Sequence, residues 1–210
     1  MKKFFLITVL FSLVLTPVYA QTVGTVSVNP DQSLSPAGSN ISSKAKIILL
    51  ISEQNIDSPR SAWWAGEVDL SATEAALAKQ LLDAGFEILE PDVVGDIIKK
   101  DKAFRMVSMS DQSSVKLANM ARADYAVVGK AVASAGGNVP HSSMRSCFAN
   151  LTAKVINVKT GKIIAYLDAS GNSAHMDVIS GGREALVNAG GQIAGKIIEK
   201  LNSAPGGIVR

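Results

Sequence analysis

The run Lys46-Ile47-Ile48-Leu49-Leu50-Ile51 has no polar alternation, and that constrains the chain more than any other feature. A short continuous apolar run is the pattern of a strand buried on both faces, so other elements must cover it. The covering elements follow in order. Ser71-Ala72-Thr73-Glu74 is a capping box, in which the Ser hydroxyl and the Glu carboxylate satisfy free amides at a helix start. That helix continues through Leu77, Leu81 and Leu82 and stops at Gly85, and Phe86 to Leu89 gives the next strand. Pro91 opens a short helix ending near Lys99-Lys100, and Ser110 caps another through Leu117 and Met120.

Asp124-Tyr125-Ala126-Val127-Val128-Gly129 reads as a third buried strand. A loop with Gly136, Gly137 and Pro140 leads to an alternating strand from Met144 to Val158. Thr160-Gly161 turns the chain into Ile163 to Ala169, making a β-hairpin. The last helix runs from about Ser180 to Leu201, with Leu186, Gly190, Ile193, Ile197 and Leu201 on one face. Glycines at 190, 191 and 195 would each weaken a helix by about 1 kcal/mol, which suggests a backbone packed tightly against the sheet. The order is β-α-β-α-α-β-β-β-α. The expected class is α/β (α+β): a single domain with a mixed sheet of about five strands and helices packed on it.

The ends have a different character. Lys2 and Lys3 precede an apolar run from Phe4 to Leu15, and Val18-Tyr19-Ala20 places small residues where a signal peptidase reads. Residues 1–20 are therefore expected to be a secretory signal peptide, since the run falls well short of the roughly 20 residues of a spanning helix. Gln21 follows the cut, not Cys, so the mature protein is expected in the periplasm without a lipid anchor. Residues 21–43 are rich in Ser, Gly, Pro and Asn and read as a flexible leader; 202–210 reads as a disordered tail. Between them, residues 44–201 make one domain of ordinary size. The sole cysteine, Cys147, excludes an internal disulfide. Loss of Lys2 and Lys3 lowers Lys+Arg from 21 to 19 against 18 Asp+Glu, so the net charge falls from +3 to +1. No basic block survives for nucleic acid or acidic lipid, and 5% aromatic content argues against a stacking platform for bases or sugars.

Four segments follow one another along the chain: Ile51-Ser52-Glu53-Gln54, Gly85-Phe86-Glu87-Ile88-Leu89, Ala123-Asp124-Tyr125-Ala126-Val127-Val128-Gly129, and Ala153 through Thr160-Gly161-Lys162-Ile163. Together they resemble the periplasmic domain shared by the curli secretion channel protein, flagellar assembly protein T and related envelope lipoproteins. The resemblance spans roughly residues 45 to 200. It implies an adaptor domain that forms rings or docks onto a larger envelope machine, without catalytic residues. Curli-type members are lipidated at an N-terminal cysteine, where Gln21 stands here, and no amphipathic hairpin able to span an outer membrane is evident. A soluble role closer to that of the flagellar protein is favoured over a pore.

Candidate chemistry is sparse. Ser113-x-x-Lys116 and Lys159-Thr160-Gly161 echo two penicillin-recognition motifs, but the Ser-x-Asn element between them is missing; Ser170-Gly171-Asn172 lies on the wrong side. His141 and His175 with Asp168 or Asp177 lack metal-ligand spacing. Glu53, Glu67 and Asp69 have no accompanying nucleophile and read as solvated loop charges. Cys147 shares strand parity with Ala149, Leu151, Ala153 and Val155 and is expected to be a buried hydrophobe, with intermolecular pairing open only if its strand lies at an edge. No cofactor, metal or catalytic residue is expected.

The segment Gln54 to Leu70 leaves the carboxyl end of a central strand and carries Arg60 with both tryptophans, Trp63 and Trp64. Trp and Arg are enriched at interface hot spots, so Arg60, Trp63 and Trp64 are the candidate partner-binding residues. The other reading, that one or both indoles fold back over the sheet, stays open. The expected function is a non-enzymatic envelope assembly or accessory protein that binds other envelope proteins and forms a homo-oligomer through sheet edges. The alternative is a periplasmic small-molecule or peptidoglycan-binding module, with Gly136-Gly137 and Gly181-Gly182 as pocket wall.

Overall fold

A computed structural model describes residues 45–66, 69–100 and 102–203 of the 210-residue chain. The signal peptide at 1–20, the leader at 21–43, Glu67 and the tail from 204 onward lie outside the described residues. The elements are β1 (Lys46–Gln54), α1 (Ala72–Asp83), β2 (Glu87–Leu89), α2 (Pro91–Lys100), α3 (Asp111–Met120), β3 (Tyr125–Asn138), β4 (Arg145–Asn157), β5 (Lys162–His175) and α4 (Val178–Ser203), with short 3-10 turns at Trp63–Ala65 and Lys102–Arg105. This is the expected order. The sheet runs β2-β1-β3-β4-β5, with β1 parallel to β2 and β3, and β3, β4 and β5 antiparallel.

The apolar run at 47–51 is covered on both sides. Ile47, Leu49 and Ile51 pack with α1 and α4 in one core that includes Leu77, Leu81, Leu186, Ile193 and Ile197. Ile48 and Leu50 face the second core, built with Val94, Phe104, Leu117 and Ile156. The first core extends out to Ala169 on β5. The second reaches only to Ile156 and Val158, so the outer parts of β4 and β5 have no helix over them on that face.

Strand lengths differ from the sequence expectation. Gly136 and Gly137 lie inside β3, not in a loop, and β5 continues through Gly171 to His175. At Gly136 the reason is local: the Phe148 ring crosses from β4 over the glycine, and a Cβ there would come within 2.6 Å of Phe148 Cε2. The three strands thus extend past Gln54, the last residue of β1 to pair, as an arm closed by the β3–β4 turn.

Candidate interaction surfaces

The loop after β1 has a structural task. β2 pairs only with Lys46–Ile48, so the same edge of β1 further along would leave backbone groups unpaired. Three side groups seal it in succession. The Leu49 carbonyl accepts the Trp63 indole N–H at 3.0 Å, the Ile51 N–H donates to Glu74 Oε1 at 2.8 Å, and Glu53 exchanges backbone hydrogen bonds with Ser61 at 2.9 and 2.8 Å. Trp64 donates to the Met106 carbonyl at 2.9 Å, and the two rings meet edge to face at 5.9 Å.

Trp63 and Trp64 are consequently 4% and 3% exposed, and both belong to the second core. The indoles fold back, as the second reading of the loop allowed, and only their margins line a groove of about 600 Å³ shared with Asp69, Asp92, Asp96 and Arg105. Large aromatic rings gain more from burial than any other side chain, and here each also finds an acceptor for its N–H. Arg60 stays half-buried beside Gln54, its Nη2 donating to Gln54 Oε1 at 3.5 Å, while its Nε finds no partner among the described residues.

Among the described residues Glu74 is the one strongly perturbed group. Burial pushes its carboxyl from 4.5 up to about 7, against the opposing effect of hydrogen bonds from Ile51 and Ser71, and nearby Glu53 adds to the rise. Ser113 belongs to the α3 cap, accepting from the Ser110 hydroxyl at 3.0 Å, and Lys159-Thr160-Gly161 lies at the β4–β5 turn, Gly161 adopting φ 67°. Cys147 is fully buried on β4, an interior strand, so the edge location that intermolecular pairing required is not met. His175 Nδ1 accepts the Asp177 N–H at 3.0 Å, and among the described residues no three metal-ligating side chains come together.

Two other exposed surfaces lie on the β3–β4–β5 part of the sheet, and neither was singled out from the sequence. One is the end of the β3–β4–β5 arm. Arg145 pairs with His175, so the neighbouring Met144 and Met176 come side by side there. Met144, Phe148, Met176 and Ile179 are all exposed, Met176 to 73%. The other is a groove of about 520 Å³ on the uncovered face of β3, β4 and β5, walled by Met109 and Asp111 before and at the start of α3.

No family model and no curated protein matches the chain. Several solved structures do. Lipoprotein GNA1162 from Neisseria meningitidis is 16% identical, with TM-score 0.41, over 76% of this chain and 99% of that one. The LpoB C-terminal domain from Escherichia coli is 19% identical, with TM-score 0.36, over 59% of this chain and 80% of that one. A PelC dodecamer from Paraburkholderia phytofirmans is 14% identical, with TM-score 0.38, over 75% and 88%. Identities and TM-scores this low say nothing about what this chain binds. None of the described helices is long and apolar enough to cross a membrane.

Proposed function

We propose that this is an exported, unlipidated, non-enzymatic accessory protein of the cell envelope that binds another envelope protein through the end of the β3–β4–β5 arm. The observation that carries the reading is the set Met144, Phe148 and Met176, three apolar side chains exposed to water at the end of the arm. Exposed apolar clusters of this kind mark interaction sites, and methionine adapts readily to a partner's contour. The signal-like N-terminus and the sequence resemblance to curli and flagellar periplasmic domains support the same assignment. The arm takes the place of the tryptophan loop as the partner surface.

The test is crosslinking of the tagged mature protein in its own envelope, beside a Met144→Asp/Met176→Asp variant. A defined adduct formed by the parent and lost in the variant, at unchanged melting temperature, is the expected result. Adducts identical in both forms, or none in either, would remove the arm from the mechanism.

A further inference from the structure

We infer that the groove on the outer face of β3, β4 and β5 is a binding site for a neutral oligosaccharide, separate from the arm end. Strand register sets its floor as two rungs: Val128, Lys154 and Tyr166; Lys130, Thr152 and Asp168. The α3 side supplies Met109 and Asp111 as a wall. The volume of about 520 Å³ falls within the range of small-ligand sites.

Charge decides among the ligand classes. The charged residues lining the groove are Lys130, Lys154, Asp111 and Asp168, two of each sign. Lys154 is ion-paired with Asp111, and Lys130 and Asp168 flank Thr152 on one rung. A polyanion or an acidic membrane surface needs an excess of cations, which this balance does not provide. A protein helix or sheet packed here would have to desolvate Thr152, Lys130, Asp168 and the Lys154–Asp111 ion pair. A polyhydroxylated neutral chain fits both conditions. Its hydroxyls replace water on the hydroxyl, ammonium and carboxylate groups, and the C–H face of a pyranose packs on an aromatic ring. Tyr166 provides that ring beside the groove and is 75% exposed, the most exposed large hydrophobic side chain among the described residues.

The experiment is amide-shift NMR on the labelled mature protein, with chitotetraose and cellotetraose as neutral probes and a heparin tetrasaccharide as the polyanionic comparator. Perturbations confined to residues 109–111 and to β3, β4 and β5 are expected, saturating at roughly millimolar concentration because the groove is open. Tyr166→Ala should weaken binding roughly fivefold or more, the value of one aromatic stacking contact. Thr152→Val should weaken it too, and Glu184→Ala, exposed on α4 behind the sheet, should not. Silence toward both neutral probes at about ten times that concentration, a stronger response to heparin, or binding indifferent to Tyr166→Ala would each overturn the assignment. Unchanged chemical shifts elsewhere in each variant verify that the fold is intact.

Discussion

Glu74 is a carboxyl group held between two demands. As the third residue of α1 it closes the capping box with Ser71, and its other oxygen accepts the Ile51 N–H from an edge of β1 that no strand covers. A helix N-terminus usually favours a charged carboxylate. Burial outweighs that preference and raises the group to about 7. The sign follows from linkage: the folded state binds this proton more tightly than the unfolded chain, so its contribution to stability is complete below about 4.5 and is lost as pH rises through about 7. The loss is on the order of 3 kcal/mol. Glu74→Gln keeps an acceptor for Ile51 and removes the titration. Urea unfolding between pH 4 and 8 should therefore show a fall in stability for the parent that is largely absent in the variant. A parallel fall in both would assign the pH dependence to other groups.

At the scale of elements, α4 and the sheet meet at Gly171 of β5. A Cβ there would come within 2.6 Å of the Ala189 amide nitrogen and would also strike the Ala185 carbonyl, both backbone atoms of α4. Gly171→Ala must lift the helix away from the sheet, and we expect a loss of about 1–3 kcal/mol or more in chemical denaturation. Gly195 is the control: it is exposed on the same helix with nothing near it, so Gly195→Ala should stabilise by about 1 kcal/mol. Equal effects from the two would mean that the close approach carries no energetic weight. These positions also show what periodicity can and cannot tell. The order of elements was legible, because each run and cap is a local signal, and the Ser71–Glu74 box was located to the residue. The glycines of α4 were legible as a sign of close packing, but not of its direction. Gly190 abuts the Thr73 carbonyl of α1, Gly191 abuts Gln80 and Gly195 abuts nothing, whereas the tight contacts with the sheet are at Gly171 of β5 and at Gly181 in the first turn of α4, where a Cβ would come within 2.6 Å of Cys147 Sγ. The fold-back of the tryptophans could not be read from the sequence for a related reason: the demand for a donor at the Leu49 carbonyl arises only because β2 is three residues long.

For the molecule as a whole, the two sheet edges pose unequal risks. β2 is a short edge, but β5 offers 14 residues with no strand on its outer side among those described. A long unpaired edge is a template for another chain, and an edge-mediated homo-oligomer was the sequence expectation. Two side chains of α4 stand in the way. Lys196 Nζ donates to the Asp168 carbonyl, and Asn188 Nδ2 donates to the Asn172 carbonyl at 2.9 Å, so acceptors on either side of Ser170 are already taken. An incoming strand would have to displace both donors, each a hydrogen bond worth about 1 kcal/mol net. Removing them should therefore expose the edge: Lys196→Ala/Asn188→Ala is expected to form concentration-dependent dimers in sedimentation velocity at concentrations where the parent sediments unchanged. A double variant that behaves as the parent does would show that these donors do not guard the edge. A parent already associated, whose association Ser170→Pro abolishes, would show that strands pair there despite them, since proline removes the outward N–H midway between the two carbonyls. That second result would return β5, in place of the arm end, to the centre of how this protein assembles.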